Sequence, residues 1–410
     1  MIFKKFTLAA ALVLLAAPLS INTAQAATFS TGEIKQVHHF QHEYANLNKK
    51  NYNVSNIYAK TPHLTKKFKV GQIADKYADS QLDYINYYRS LFGLTSITEN
   101  KLAQKNAQKT AAVMAAINAN PFVNQHGLPN ETKPNYVSKS MWKVAQDTSE
   151  TSNLNFNVSD QSAGDVITDL VTDHYNLSGS DTGHRAWILS SRLSTTGVGA
   201  AYGSNGYRYS VQKVLNVDDL FRDSSQPIVA YPSSGVFPIE LAKGKNVAWS
   251  LYLSDKTVKN TPEITITDLD TKKNYKAANI ENYSSSGYGN FKTILTYSPD
   301  KTPIIAGHQY QVKIGNVYTY KFKLFKQDTT TEATTTPTAA IATPKPRTYQ
   351  YVSAQQRDTK MKSGVLLQGE KSWATLSSKN DTTSQQPQNY FDILKKGQWH
   401  RNFFMKNPLY

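Results

Sequence analysis

Near residue 220 of this 410-residue chain the spacing of apolar residues changes, and that change decides the fold class. Upstream, in "QLDYINYYRSLFGL", Leu82, Ile85 and Tyr88, then Leu91 and Phe92, recur at steps of three and four, and Gly93 supplies a C-terminal stop. This is the pattern of an amphipathic helix. "NKLAQKNAQKTAAVMAAINANP" is rich in alanine and other helix formers and ends at Asn120-Pro121, which predicts a second helix. Ser162 with Asp165 opens a third through a capping-box pattern that has Asp in place of the usual Glu or Gln. Val166, Ile167, Leu170 and Val171 give that helix one apolar face, and it is expected to run to about Tyr175. "TGVGAAYG" and "YRYSVQKVLNV" flank Gly203-Ser204-Asn205-Gly206 and read as a hairpin. Downstream the period falls to two: Tyr318, Tyr320, Phe322 and Leu324 alternate with Thr319, Lys321 and Lys323, and "VAWSLYL", "PEITITDLD" and "FKTILTYS" are further short strands. Helices and a hairpin followed by strands alone indicate an α+β unit and then a β-sandwich.

The chain contains no cysteine, so burial has to supply the stability that disulfides give many exported proteins. Export itself is expected. Lys4 and Lys5 precede the apolar run "LAAALVLLAAPL", and Ala24-Gln25-Ala26 is a small-x-small cleavage signal that would leave Ala27 as the first mature residue. That run is shorter than the roughly 20 apolar residues of a membrane span, and no other stretch approaches such a length. The expected division is a signal peptide at 1–26, a largely extended or loosely packed leader at 27–75, an α+β unit at 76–220 and a β-sandwich at 227–326. A Thr/Pro-rich linker follows at 327–348, and a tail at 349–410 carries no readable motif.

Lys and Arg number 46 against 30 Asp and Glu, a net charge of +16, or +14 without Lys4 and Lys5. An excess of this size attracts polyanions. On an exported chain these are expected to be anionic cell-wall polymers or surface glycans, because no nucleic-acid motif is present and the lysines are not arrayed along one helix. The protein is expected to be secreted, extracellular or loosely wall-associated. Nucleophilic catalysis finds little support, with no cysteine and no Gly-x-Ser-x-Gly elbow.

Two histidines sit beside glycine in loop-like contexts: Gln125-His126-Gly127 and Gly183-His184-Arg185. Converging neutral imidazoles with carboxylates nearby would suit a divalent metal such as zinc. A structural reading is open as well, in which His184 satisfies backbone groups at a helix start and Arg185 pairs with Asp181 or Asp173. His174 lies four residues after Leu170, on the apolar face, where a packed place in the core is the first expectation.

The ordered set "LDYINYYRSLFGL" (with Asn86, Arg89 and Gly93), "LAQKNAQKTAAVMA", "QHG" and "GHRAWILSSRLSTTGVG" resembles the bacterial CAP superfamily, the SCP-like extracellular proteins, over roughly 78–216. "YPSSGVFPIEL" and "GYGNFKTILTYSP" are similar to a β-domain that accompanies some bacterial members. The resemblance implies a three-layer α-β-α sandwich followed by an Ig-like β-sandwich, and a cleft in which two His and two acidic residues hold an ion. The family's histidines fall on His126 and His184, and its second acid on Asp173, so the implied metal set is His126, His184 and Asp173. Its first acid, from a Gly-Glu-Asn-Leu motif, falls on Ser152, a poor zinc ligand, with Glu150 two residues earlier and Arg185 beside the second histidine. The expectation is therefore a His-lined cleft, binding a lipid or protein ligand, in a non-enzymatic surface protein. The alternatives are a metal-dependent hydrolase of wall glycan, peptide or lipid that uses His126 and His184, and a lipid- or sterol-binding protein.

Overall fold

Two glycines on one strand set how closely the first half of the molecule packs. The computed structural model describes residues 27–328 except Ser159 and Ser178; the expected signal at 1–26, the linker from residue 329 onward and the tail at 349–410 lie outside the described residues. Helix α1 is Thr31–Asn46, α2 Asp75–Ser90, α3 Lys101–Ile117, α4 Lys139–Glu150, α5 Ala163–Thr172 and α6 Gly183–Ile188. Strands β1 (Thr98–Glu99), β2 (Ser152–Asn157), β3 (Thr195–Tyr202) and β4 (Arg208–Lys213) form a sheet in the order β1-β3-β4-β2, with the expected hairpin β3-β4 antiparallel.

Gly197 and Gly199 point from β3 toward α3. A Cβ on Gly197 would lie 2.1 Å from the Gln104 backbone nitrogen, and one on Gly199 would lie 2.3 Å from that of Gln108. Only glycine permits this approach of helix to strand. On the same face Leu154, Phe156, Tyr209 and Val211 pack with Ala107, Ala111, Met114 and Ala145 of α3 and α4. Val198 and Ala200 face the other way, against Tyr77 of α2 and Ala163 of α5. Helices therefore cover both faces of the sheet, which is the three-layer arrangement.

The caps follow from local chemistry. Ser162 and Asp165 form the expected reciprocal box, and Asn100 accepts from the N–H groups of Leu102 and Ala103 at the start of α3. Helix α5 stops at Thr172, short of Tyr175, because Asp173 adopts a left-handed conformation with φ 54°.

The β-rich region has two sheets. Strands β5 (Ile228–Tyr231), β6 (Gly235–Pro238), β7 (Trp249–Leu253), β8 (Ile264–Asp268), β9 (Lys273–Lys276), β10 (Ala278–Asn282), β11 (Thr293–Ser298), β12 (Gln309–Ile314) and β13 (Tyr318–Phe325) divide into β10-β11-β7-β5 and β6-β13-β12-β8-β9. Buried residues of both sheets meet, as where Trp249 sets its ring edge-on to Phe322 at 5.4 Å. The same apolar cluster continues into Tyr88, Leu170, Trp187 and Ile188, so the helical half and the β-rich half share one core.

The leader expected at 27–75 to be extended or loosely packed is instead ordered. Ser30 and Glu33 cap α1, which lies along the five-stranded sheet: Phe40 stacks on Phe325 at 6.3 Å and Glu33 pairs with Lys323 at 2.7 Å. Further on, Asn51–Tyr52 pairs with Gln161–Ser162, and Ile57 and Ile73 bury against the helical half. The segment straps the two halves together.

The closeness of α3 to β3 is testable. Gly199→Ala drives a methyl into helix backbone that has no rotamer with which to yield, and is expected to cost about 3 kcal/mol, read as a lowered midpoint in chemical denaturation. An unchanged midpoint would remove the packing argument.

Candidate functional site

Everything around His184 is held by charged groups that close helix ends. The last carbonyls of a helix lack intrahelical partners and attract cations. Here two fully buried arginines meet that need. Arg185 donates from Nε to the Val171 carbonyl (2.6 Å) and from Nη2 to that of Thr172 (2.7 Å), at the end of α5. Its Nη1 reaches across to the Ala248 carbonyl (2.7 Å) and Ser250 Oγ (3.2 Å), and the guanidinium lies 3.7 Å from the centre of the Tyr231 ring. Arg89 donates to the carbonyls of Ile188 (2.7 Å) and Ser190 (2.9 Å) at the far end of α6. The expected pairing of the Arg185 guanidinium with Asp173 or Asp181 is replaced by these carbonyl contacts, and the group is turned into the core.

The backbone N–H of Arg185 does meet Asp173, at 3.2 Å from Oδ2, while Oδ1 is 2.8 Å from His184 Nδ1. Both carboxylate oxygens are thus engaged, and the left-handed turn at Asp173 is what aims them back at α6. Burial draws the His184 pKa down, but the Asp173 charge and its hydrogen bond outweigh that and leave it raised above the ordinary value. A carboxylate on Nδ1 fixes the ring and leaves Nε2 as the nitrogen for other chemistry. Asp181 lies at the end of the loop between α5 and α6, accepting from the Gly183 N–H at 3.0 Å and from Tyr288 OH at 3.3 Å. Burial and the Asp173 charge push its pKa up to about 6.

His126 lies on the loop between α3 and α4 and packs against the end of α4. Its Nδ1 is 2.9 Å from the Ser149 carbonyl, and the Gly127 N–H donates to Ser149 Oγ at 3.1 Å. Burial, opposed by the hydrogen bond to the Ser149 carbonyl and aided by the positive charge of His184, lowers its pKa to about 4. Glu150, the last residue of α4, reaches the turn beside His126: a Cβ on Gly127 would lie 2.6 Å from Glu150 Oε2. Burial pushes the Glu150 carboxyl up to about 7, with the Asp147 charge adding to it. Glu150 Oε1, Ser152 Oγ, Asn124 Nδ2 and Gln125 Oε1 are each buried with no hydrogen-bond partner. Ser152 stands opposite Lys213 in the β2-β4 ladder, and Lys213 Nζ donates to Thr151 Oγ1. Burial lowers the Lys213 pKa to about 7. His174 is half-buried past the end of α5, its Nδ1 2.6 Å from Thr172 Oγ1 and its ring 3.8 Å from that of Tyr175.

Two imidazoles and a carboxylate are the right donor types for zinc. Their placement here does not fit an ion: among the described residues the group whose ligand atoms all lie within 4.8 Å of one another is Asp268, Asp270 and His308, not His126, His184 and Asp173. Asp173 orients His184 through one oxygen and accepts from the Arg185 N–H with the other. The Asp268 group, absent from the sequence reading, clips a turn to β12. His308 Nδ1 is 3.0 Å from Asp268 Oδ2, Asp268 Oδ1 accepts from the N–H groups of Asp270 and Thr271, and Gln309 donates its N–H to Asp270 at 2.7 Å. These bonds account for it as a structural clip.

Residues 82–214 match the family model of CAP, the cysteine-rich secretory protein family. No curated protein matches the chain.

The raised Glu150 pKa has a consequence for stability. A carboxyl whose folded pKa exceeds its unfolded one stabilises fully below the unfolded value, near 4.5, and loses that contribution as pH rises through about 7. Glu150→Gln is therefore expected to raise the melting temperature relative to wild type at pH 8 more than at pH 5. Equal shifts at the two pH values would show that the carboxyl is not buried as described.

Proposed function

Because residues 82–214 form a CAP domain, we propose that this is a secreted, non-enzymatic surface protein. It takes a ligand or partner beside His126 and His184 and is held to anionic wall polymers by charge. On this reading the two sheets that follow are an Ig-like β-sandwich that serves as the anchoring half.

The observation that carries the proposal is the uneven distribution of charge. Residues 76–220 hold 12 Lys and Arg against 13 Asp and Glu, whereas residues 227–326 hold 13 Lys against 7 Asp and Glu. The positive field therefore belongs to the β-rich half and its flanks, and leaves the helical half near neutral. Attraction spread over such a surface acts over a Debye length and is screened by salt.

The buried polar atoms without partners beside His126 support the binding role. An unsatisfied buried polar atom costs on the order of 1–3 kcal/mol, and four occur at Asn124, Gln125, Glu150 and Ser152, on the two segments that adjoin His126 and the end of α4. A ligand offering hydroxyl and amide groups would satisfy them. Such binding requires no divalent ion, and Asp173 stands behind His184 as the carboxylate that orients its ring.

Graded salt washes test the anchoring. Mature protein bound to isolated cell walls is expected to come off progressively as sodium chloride rises. Retention that is unchanged in concentrated salt contradicts anchoring by charge.

A further inference from the structure

Half of one face of the five-stranded sheet is open, and that half is basic. Thr265 stands opposite Lys276 on one side and Lys313 on the other, and Lys313 stands opposite Thr319. The next row runs Asn274, Thr267, Gln311 and Lys321. Side chains alternate across a strand, so these eight share a face. The residues between them, Ile264, Ile266, Val312, Tyr320 and Phe322, lie in the core. Lys276, Lys313, Lys321, Thr319 and Asn274 are exposed, and the other three are half-buried.

One row further along, the same face is already occupied by an acid. Lys323, opposite Gln309, takes the Glu33 carboxylate of α1 at 2.7 Å and is buried beneath that helix. Helix α1 thus shows what the lysine column accepts. Beyond its reach Lys276 pairs with Glu263 at the rim, while Lys313 and Lys321 make no ion pair among the described residues. As diagonal neighbours on adjacent strands, these two lysines have Cα atoms roughly 7–8 Å apart.

We propose that this open half-face binds an acidic glycan chain. The inference rests on the anchoring reading above and gives it a place. Lys313 and Lys321, with Lys276 at the edge, meet carboxylate groups carried along the glycan. The hydroxyls and amides of Thr265, Thr267, Thr319, Asn274 and Gln311 meet its sugar hydroxyls. Thr267 Oγ1 already donates to Asn274 Oδ1 at 2.6 Å, which leaves the Asn274 amide N–H groups facing outward with the other polar groups, and a polyanion without sugars would use the lysines alone and gain nothing from that lining.

The test compares three forms of the mature protein: wild type, K313Q/K321Q, and K101Q/K105Q, which removes the same charge from exposed positions of α3. Each is checked by its thermal melt and then titrated with polygalacturonate and, separately, with polyphosphate over a range of salt. Wild type and K101Q/K105Q are expected to bind polygalacturonate alike, while K313Q/K321Q binds roughly tenfold more weakly with a shallower salt dependence. Equal weakening by the two double variants means that net charge alone acts, which overturns the assigned face and leaves anchoring by charge standing. Preference for polyphosphate over polygalacturonate overturns the glycan assignment. No binding of wild type to either polymer overturns both the assignment and the anchoring reading.

Discussion

The Arg185 guanidinium is the contact on which the two halves and the candidate site all depend. It closes the carbonyl end of α5, donates to Ala248 and Ser250 of the neighbouring sheet and packs on Tyr231, all without exposure to solvent. A buried cation of this kind holds because several donors are satisfied at once, and stripping its partners costs about 3–5 kcal/mol. Its backbone N–H meanwhile binds the carboxylate that orients His184. From the sheet side, Gly289 comes so close that a Cβ there would lie 2.1 Å from the Ala186 carbonyl. The β-rich half is thus part of the wall against which α6 is built, and the placing of His184 follows from it.

Much of this was legible in the sequence because it is local. The three-and-four spacing placed α2, the alanine-rich run ending at Asn120-Pro121 placed α3, the Ser162/Asp165 box placed the start of α5, and alternation placed β13. The segment 27–75 was misread because its charge and amide content hid Val37, Phe40, Tyr44 and Leu47, whose spacing of three, four and three is that of a helix face. Helix α4, with β2 after it, gave no strong pattern either. Only its tertiary partners show why the stretch folds as it does.

At the site, proximity was legible and role was not. The positions of His126, His184 and Asp173 could be taken from a resemblance, but whether Asp173 faces an ion or a histidine depends on one left-handed residue at the end of α5. Arg185 looked like a partner for a nearby carboxylate, since sequence shows which charges are close and not which carbonyls a folded chain leaves unpaired. Glu150 takes up the place beside His126 because helix α4 ends there and aims its last side chain inward. Ser152, which the resemblance sets where the family carries an acid, keeps a buried hydroxyl without a partner. The resulting arrangement sets His184, oriented by Asp173 and raised in pKa, apart from His126, whose pKa is lowered to about 4, and Glu150, whose carboxyl burial pushes up to about 7.

The most direct test of this dependence is the titration of His184, followed by NMR, in Arg185→Lys. A lysine keeps the charge but cannot donate to α5 and the sheet together, so Asp173 loses its fixed aim. The account predicts that the His184 pKa falls from its raised value toward or below the ordinary one. A His184 titration identical to that of the wild type would contradict it.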